Sequence, residues 1–307
     1  MKKISKKHRI IIYICGLVVV LFSFTNVGLS FWLGVEKFLG TAPREKIADD
    51  YNFTVHFLDV AKADCALIES PNAKFMIDGG TPYYSQYVKN YLHKRGINKL
   101  DAIIVTHFDY DHYSGFLDIL EEIDTDVIYT NGEDISKKST EMVELINRKN
   151  IEVKTLTAGD KLYFGELLVD VISPSKVYEG SNENSLVTNL VFEDFKVLMT
   201  GDLENEALDD LVDLNIDLSA DVLKIPHHGS ENGLSEEFLD LVKPELCIVS
   251  SGENSMNLPS PKVLDLMESL NYEYYWTAHD GTIIVTTNAD KTIKISTREG
   301  IYEKTYD

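Results

Sequence analysis

A cluster of metal-binding residue types directly after a buried strand constrains the fold of this chain more than any other feature. The apolar run at 102–105 is typical of a buried strand, and the next seven positions contain His107, Asp109, Asp111 and His112. A loop that leaves a strand end can turn several short side chains toward one point. Imidazole suits zinc, iron or manganese, and carboxylates favour harder ions such as manganese. The alternative is a solvated polar loop, but the density of ligands favours a metal site.

Two later strand ends carry the same residue types. The strand at 197–199 leads into Thr-Gly-Asp and presents Asp202 at its end, although alone this is an ordinary turn. The strand at 222–225 is followed by a proline and then by two adjacent histidines, His227 and His228. Adjacent histidines at a strand end suit metal ligation or acid–base duty.

Together the three strand ends could hold two divalent ions, with Asp202 as the natural bridge because a carboxylate can offer one oxygen to each ion. A two-metal site lowers the pKa of a bound water and clamps the attacking and leaving oxygens of a displacement. This indicates hydrolysis at phosphorus or at a carbonyl carbon, without a protein nucleophile. The sequence has no Gly-x-Ser-x-Gly elbow and no glycine-rich phosphate loop.

The N-terminal residues differ in composition from the rest. A basic flank at 1–9 precedes an uncharged run of 26 residues at 10–35, which is long enough to cross a bilayer core of about 30 Å. We predict a basic cytoplasmic flank at 1–9, a transmembrane anchor or signal segment at 10–35, a linker at 36–50 and a hydrolase domain at 51–307. The expected location is the membrane, single-pass with the C-terminal domain extracellular, and the alternative is secretion after signal cleavage.

Charge and cysteine content exclude some classes of protein. The net charge of −21 argues against broad electrostatic capture of a polyanion, because tight nonspecific nucleic-acid binders need basic stripes. A nuclease could still work with local basic residues and metal ions. The three cysteines, Cys15, Cys65 and Cys247, are widely scattered, so there is no disulfide framework and no paired-cysteine zinc site.

The remaining pattern mixes strands and helices, with strand-rich blocks in each half, which favours two sheets packed face to face with helices outside. Helices are predicted at 83–95, near 113–122, and at 136–149, 205–213, 235–242 and 260–270. Strands are predicted at 53–58, 66–68, 75–77, 102–105, 127–130, 186–193, 196–200, 222–225, 246–250, 274–276, 282–287 and 291–297.

The order His-x-Asp-x-Asp-His, Thr-Gly-Asp and Lys-x-Pro-His-His-Gly-Ser resembles the metallo-β-lactamase superfamily. Within it, the chain is most similar to the ComEC-type hydrolase domain attached to bacterial DNA-uptake channels. Leu-Asp-Val at 58–60, Met-Ile-Asp-Gly-Gly at 76–80 and Asn-Ser-Leu-Val at 184–187 support the resemblance, which runs from about Val55 to Val285. It implies an α/β (α+β) fold, a four-layer αββα sandwich. The uncharged run at 10–35 adds the expectation of one N-terminal transmembrane helix before it.

The resemblance also implies roles for individual residues. Asp111 and His112 would hold one metal with His227 or His228, His107 and Asp109 would hold the other, and Asp202 would bridge them. The implied cofactors are two divalent ions, zinc or manganese, and occupancy by the second stays open because Asn-Ser at 184–185 replaces a family histidine. Residues expected behind the metals or near the substrate are Asp59, Lys62, Asp64, Asp78, Asn184, Ser185, Lys224 and Ser230.

We therefore expect a metal-dependent hydrolase, a phosphodiesterase or nuclease-like enzyme that uses a metal-activated water on the outer side of the membrane. Asp111 would orient the water, and the spare histidine of the 227–228 pair would protonate the leaving oxygen. The expected partners are a phosphodiester substrate (nucleic acid, or a wall or lipid phosphoester) and the membrane, through the N-terminal segment. One alternative is a phosphorylcholine-type esterase of wall or lipid headgroups, with Tyr272, Tyr274 and Tyr275 as an aromatic cage. Another is a degenerate fold kept as a binding or sensor module.

Overall fold

Two β-sheets lie face to face in the computed structural model, which describes residues 52–214, 216–252, 254–288 and 292–305. The predicted segments 1–9, 10–35 and 36–50 lie outside the described residues, so the transmembrane helix expected before the sandwich is not part of this description. Within those ranges no helix combines the length and the apolar character needed to cross a bilayer. This finding contradicts the predicted single-pass membrane location, which no helix among the described residues supports.

The described strands are short and follow one another closely along the chain. In order they are β1 (Phe53–Phe57), β2 (Cys65–Glu69), β3 (Lys74–Gly79), β4 (Lys99–Leu100), β5 (Ala102–Val105), β6 (Asp124–Thr125), β7 (Val127–Thr130), β8 (Glu152–Thr155), β9 (Lys161–Phe164), β10 (Leu167–Ser173), β11 (Val187–Phe192), β12 (Phe195–Met199), β13 (Val222–Lys224), β14 (Leu246–Val249), β15 (Tyr274–Trp276), β16 (Ile283–Thr287), β17 (Thr292–Ser296) and β18 (Ile301–Thr305).

The described helices lie between these strands. They are α1 (Ser85–Lys94), α2 (Tyr110–Tyr113), α3 (Phe116–Glu122), α4 (Ile135–Lys138), α5 (Thr140–Lys149), α6 (Asn205–Asp213), α7 (Glu236–Val242), α8 (Pro261–Ser269) and α9 (Thr277–Asp280), with 3₁₀ turns at Pro82–Tyr84, Asn182–Asn184 and Pro226–Gly229.

Each of these two sheets combines an antiparallel part with a parallel part, and β4 and β6 form a separate two-stranded parallel sheet. The first has the order β18-β17-β16-β1-β2-β3-β5-β7-β8 and the second β15-β14-β13-β12-β11-β10-β9. Strands β3, β5, β7 and β8 run parallel in the first sheet, as do β12, β13, β14 and β15 in the second. Parallel strands need crossover connections, which the helices supply. The carboxyl ends of these strands meet at one edge of each sheet.

The core between the sheets is built by residues that alternate along the strands. In β10, Leu167, Val169 and Val171 are buried and join the core, whereas the residues between them are only partly covered, as a period of two requires. Aromatic rings connect the sheets: the ring of Phe53 on β1 stacks on that of Phe192 on β11 with centroids 5.3 Å apart. Such pairs contribute beyond their buried area.

The outer face of the second sheet packs against helices α6, α7 and α8 through Leu208, Phe238 and Met267. The sequence-predicted mixed fold of two sheets with helices outside therefore agrees with the described residues. One predicted helix, 136–149, is interrupted. Ser139 has an extended backbone, and its side chain caps α5 by accepting the amide proton of Met142, because serine satisfies free helical amides better than it continues a helix.

Candidate metal centre

The predicted motifs come together where the carboxyl ends of β5, β12 and β13 meet. A backbone hydrogen bond connects the two sheets there: the Leu186 amide donates to the Thr106 carbonyl oxygen at 3.0 Å. Gly201, which follows β12, has a positive φ of 53°, and a Cβ there would lie 3.0 Å from the Cβ of Ser185. Glycine is the residue that tolerates both conditions. The turn it permits presents Asp202 to the loop after β5.

The inner part of the site brings five of the predicted ligands together. Two inner groups have ligand atoms within 4.8 Å of one another, one made of His107, His112 and Asp202 and the other of Asp111, His112 and His228. Asp64 completes two further groups, one with Asp78 and His112 and one with Asp202 and His228. Asp202 Oδ2 lies 3.2 Å from His112 Nε2 and 3.5 Å from His228 Nε2. Asp111 Oδ2 lies 3.4 Å from His228 Nε2. The three strand-end motifs therefore form one cluster.

Several atoms of this cluster are buried without a hydrogen-bond partner. They are the Nε2 atoms of His107, His112 and His228, the Oδ1 atom of Asp202 and the Oδ1 atom of Asp64. Buried polar atoms nearly always have a partner, so each exception requires an explanation. Imidazole nitrogens and a carboxylate oxygen that converge in this way fit a divalent metal ion.

The electrostatics of the cluster also favour a cation. Burial alone would raise the pKa of Asp202, but His112 and His228 outweigh it and hold the pKa well below its usual value. Burial would lower the pKa of His112, but Asp202 and Asp78 raise it well above its usual value. Burial and the neighbouring His112 lower the pKa of His107, which therefore stays neutral. The carboxylates thus stay charged and attract positive charge.

Asp78 aligns the cluster from behind. Its Oδ2 accepts a hydrogen bond from His112 Nδ1 at 2.8 Å and another from Thr106 Oγ1 at 2.7 Å, and its Oδ1 accepts the Thr106 amide proton at 2.9 Å. His228 is held similarly, because its Nδ1 lies 2.8 Å from the Ser250 carbonyl oxygen. When Nδ1 is held, Nε2 remains free for an ion, an arrangement common to histidine ligands.

Asn184 and Ser185 have different environments. Ser185 Oγ accepts the Asp202 amide proton at 3.1 Å and lies 3.3 Å from His107 Nδ1, so it touches two of the clustered residues. Asn184 instead stabilises its own loop, since its side chain bonds the Tyr178 amide and the carbonyls of Tyr178 and Gly180.

Lys224 and Asp64 form a buried ion pair behind the cluster. Lys224 is 2 % exposed, and its Nζ lies 2.6 Å from Asp64 Oδ2 while donating to the carbonyls of Gly201 and Ile225. Its three donors are thereby used within the protein.

Two other predicted residues have separate environments. Asp59 is buried beside Arg298, with 3.5 Å between Asp59 Oδ2 and Arg298 Nη2. Ser230 closes the 3₁₀ turn by donating its amide proton to the His227 carbonyl.

The structure separates the two adjacent histidines. His228 is fully buried in the cluster, whereas His227 is partly exposed and belongs to none of the groups of ligand atoms. His227 Nδ1 lies 2.7 Å from Glu204 Oε2, and Glu204 Oε1 accepts a hydrogen bond from Asn182. Burial would lower the pKa of His227, but Glu204 and Asp202 raise it above its usual value.

Sequence reasoning missed Glu204. The available signal is its position, two residues after Asp202, which places it at the same strand end.

Two predicted residues lie at the outer rim. Lys62 Nζ lies 2.5 Å from Asp111 Oδ2, and its side chain is 22 % exposed. The side chain of Asp109 is 43 % exposed, with its Oδ2 3.8 Å from His107 Nε2, and it belongs to neither inner group. A cation and a carboxylate thus border the open side of the cluster.

Comparison with known proteins identifies similar chains. A family model described as the metallo-beta-lactamase superfamily matches residues 58–252. ComE operon protein 3 of Bacillus subtilis is 28% identical over 250 residues, covering 75% of this chain and 32% of that protein. Recombination protein 2 of Haemophilus influenzae is 30% identical over 251 residues, covering 77% of this chain and 29% of that protein. The matched region is about a third of the length of these relatives.

Solved structures show the same fold. The metallo-beta-lactamase fold protein YhfI from Bacillus subtilis superposes with a TM-score of 0.53 and 11% identity, covering 76% of this chain and 98% of that one. CmlA, a diiron beta-hydroxylase from Streptomyces venezuelae, gives a TM-score of 0.50 and 14% identity, covering 74% of this chain and 53% of that one. At these identities the likeness concerns the fold alone.

Proposed function

Since this chain belongs to the metallo-β-lactamase superfamily of metal-dependent hydrolases and resembles the ComEC-type competence proteins, we propose that it hydrolyses phosphodiester bonds with a nuclease-like preference. The observation that carries the proposal is the set of buried, unpartnered atoms of His107, His112, His228 and Asp202. Such a set is costly to bury without a ligand. It is therefore best explained by a cation that the site is built to hold.

Specific residues would hold the metal. Asp111, His112 and His228, with Asp202, would hold one divalent ion, and His107 and Asp109, again with Asp202, a second. A bound divalent ion supplies a water of lowered pKa and stabilises the charge on a displaced oxygen. Because half of these donors are carboxylates, manganese and zinc are the ions we propose.

The rim residues would bind and orient the substrate. Lys62 is partly exposed beside Asp111, so its ammonium group can meet a phosphate oxygen at the open side of the cluster. Asp111 would accept a hydrogen bond from the attacking water and fix its direction. Holding both reactants in line supplies much of the rate enhancement of such enzymes.

His227 would donate a proton to the leaving oxygen. It is partly exposed at the rim, and the contact between its Nδ1 and Glu204 fixes the ring so that Nε2 points into the site, 3.6 Å from Asp202 Oδ2. A carboxylate behind a histidine holds it in one orientation and favours its protonated form. Proton donation of this kind contributes about 10²- to 10⁴-fold to a rate.

The two other candidate functions have less support. The hydroxyl groups of Tyr272 and Tyr274, offered as a choline cage, donate to the Leu239 carbonyl and to Glu268. These two therefore contact α7 and α8, and the ring of Tyr275 lies beside that of Tyr302 with centroids 6.1 Å apart. The contacts of the three tyrosines thus give less support to a headgroup esterase. A binding module without metal would not need the unpartnered imidazole nitrogens.

The test uses the purified chain loaded with Mn²⁺ or Zn²⁺. Hydrolysis of a bis-aryl phosphodiester and of a single-stranded oligonucleotide is compared with that of a phosphorylcholine ester. Asp202→Asn should abolish turnover, whereas Asp209→Asn, on the exposed side of α6, should not alter it. Equal rates for wild type and Asp202→Asn would refute the proposal, and preference for the phosphorylcholine ester would favour the headgroup esterase.

A further inference from the structure

The loops that follow β1, β3 and β5 leave the first sheet at the same edge. Strands β1 and β3 are both antiparallel to β2, and β5 is parallel to β3, so the carboxyl ends of all three lie together. Backbone hydrogen bonds connect the loops: the Asp64 amide donates to the Asp111 carbonyl at 3.2 Å, and the Gly80 amide donates to the Asp64 carbonyl at 2.8 Å. The loops 58–64, 80–84 and 106–115 thus form a continuous border of the cluster, here called the first-sheet rim.

Tyr110 is an exposed ring of this rim. It lies between Asp109 and Asp111, two of the proposed metal ligands, and is 63 % exposed. Among the described residues its ring pairs with no other ring and its hydroxyl has no hydrogen-bond partner. The packing of this segment is supplied by Phe108 and Tyr113, which are buried with ring centroids 5.5 Å apart. A single exposed tyrosine is ordinary, but neighbouring Cα atoms are only about 3.8 Å apart, so this one starts directly beside the proposed centre.

Tyr83 is a second exposed ring of the first-sheet rim. It lies on the 3₁₀ turn Pro82–Tyr84, is 60 % exposed, and meets the ring of Tyr84 edge to face with centroids 5.0 Å apart. Lys62 belongs to the same rim, with its Nζ 2.5 Å from Asp111 Oδ2. The rim therefore combines exposed aromatic rings with an ammonium group that can meet a phosphate.

This combination suits a nucleobase next to a phosphate. The net charge of −21 argues against holding a polyanion by charge, so the affinity for a nucleic acid has to come from uncharged contacts. A base stacked on an aromatic side chain gains about 5- to 150-fold in affinity without any charge. In a duplex the bases are already stacked on their neighbours and must be withdrawn at a cost. A single strand offers its bases directly.

We propose that Tyr110, together with Tyr83, forms a subsite that stacks the bases of a single-stranded nucleic acid beside the phosphodiester to be cleaved. This inference rests on the proposed function, because it assigns a substrate class to the same site. Lys62 contacts the phosphate, and Tyr110 contacts the adjoining base. The subsite selects strands with accessible bases over duplexes and over phosphoesters that carry no base.

The experiment measures initial rates of the full chain loaded with Mn²⁺ on a short thymidine oligonucleotide and on an abasic strand of the same length and charge. For wild type, KM should be about 5- to 150-fold lower on the thymidine strand. Tyr110→Ala should remove most of this preference and Tyr83→Ala part of it, whereas Tyr110→Phe keeps the ring and should keep the preference. Tyr163→Ala, which changes an exposed tyrosine on β9, is the matched control and should equal wild type.

Salt dependence distinguishes stacking from attraction between charges. One lysine contact with a single strand predicts a slope of about −0.7 for the logarithm of kcat/KM against the logarithm of salt concentration. Tyr110→Ala should keep the wild-type slope, because the ring is uncharged. Lys62→Gln should flatten it.

The outcomes separate the two proposals. Equal KM for the two strands while both are hydrolysed, or a preference that survives Tyr110→Ala in protein folded by circular dichroism, would overturn the base subsite and leave the hydrolase proposal intact. A steeper salt slope in wild type than in Tyr110→Ala would also overturn it. Absence of hydrolysis of either strand by folded, Mn²⁺-loaded wild type would overturn the proposed function and, with it, this inference.

Discussion

The carboxylate of Glu204 holds the imidazole of His227, with 2.7 Å between Oε2 and Nδ1. Neither residue belongs to any of the groups of clustered ligand atoms, and both lie at the rim of the cluster. The contact leaves His227 Nε2 directed toward Asp202. A histidine placed in this way beside the cluster of ligand side chains can donate a proton to the substrate without changing its position.

The first prediction concerns this pair. Glu204→Gln keeps the shape but removes the charge, so it should slow cleavage of esters with poor alkoxide leaving groups about 10²-fold or more. Esters of nitrophenol should be nearly unaffected, because nitrophenolate departs without a proton. The check is the rate as a function of leaving-group pKa for wild type, Glu204→Gln and His227→Ala. Equal losses on both kinds of ester would show that the pair is only structural.

The second prediction concerns Asp78. Asp78→Asn replaces the carboxylate behind His112 with a neutral amide, so metal affinity should fall about 10- to 100-fold. Isothermal titration with Zn²⁺ under chelator competition measures the affinity directly. Asp209→Asn serves as the control of matched chemistry, and unchanged affinity in Asp78→Asn would contradict the assigned role.

The third prediction concerns Lys62. Lys62→Gln should raise KM for an anionic phosphodiester while kcat changes little, because the ammonium is proposed to bind the phosphate in ground and transition state alike. Lys62→Arg should recover part of the affinity, since it restores the positive charge. Initial rates at several salt concentrations give both constants, and a KM equal to that of wild type would remove Lys62 from substrate binding.

The fourth prediction concerns stability in acid. Burial lowers the pKa of His56 to about 4, and at neutral pH its ring bridges the Tyr91 hydroxyl and Glu69. The unfolded chain protonates His56 near pH 6.5, so between pH 6.5 and pH 4 the unfolded state binds more protons. The free energy of unfolding should therefore fall as the pH falls through this window, by about 3 kcal/mol in all.

Urea unfolding between pH 7.5 and pH 4.5 in the presence of chelator checks this dependence. His56→Gln should flatten the slope between pH 6.5 and pH 4.5, because groups that do not contact His56 contribute equally to both proteins. Glu69 adds a loss at lower pH. Burial would raise its pKa, but His56 and Arg95 hold the pKa at about 2, so its stabilising charge disappears between pH 4.5 and pH 2. An unchanged slope in His56→Gln would contradict the assignment.

The fifth prediction concerns the buried pair of Lys224 and Asp64. Lys224→Met leaves the Asp64 carboxylate buried without its cation, so the free energy of unfolding should fall by about 3–5 kcal/mol. Adding Asp64→Asn should recover part of the loss, because the uncompensated charge is then removed. Thermal unfolding of the metal-free protein measures both, and a double variant less stable than Lys224→Met alone would argue against this account.

Much of the fold could be predicted from periodicity. The apolar runs predicted β5 and β7 with the observed bounds, and the pattern at 205–213 predicted α6 likewise. Burial leaves a regular apolar pattern in the sequence of each of these elements, and that pattern identifies the type of element. β18 was missed because its residues are largely exposed, so no buried face marks it. The break at Ser139 depends on a cap that competes with helix continuation, and such boundaries are weakly encoded.

The site shows a similar division. Residue types and strand-end positions predicted which segments meet, since parallel strands deliver their carboxyl ends to one edge. They did not distinguish His227 from His228, because the two residues have positive φ, 44° and 52°, a conformation that is uncommon outside glycine and that the residue types do not predict. That backbone buries one ring in the cluster and leaves the other at the rim. The partnership with Glu204 is likewise a tertiary contact without periodic signature.

The meeting of loops from both sheets at the metal centre has a further consequence. Asp111 and His112 extend from the first sheet, whereas Asp202 and His228 extend from the second. The unfolded chain has no such preformed arrangement, so the free energy of ion binding adds to that of folding. A bound ion would then connect the two sheets, and the free ion concentration would set the free energy of unfolding as well as catalytic turnover.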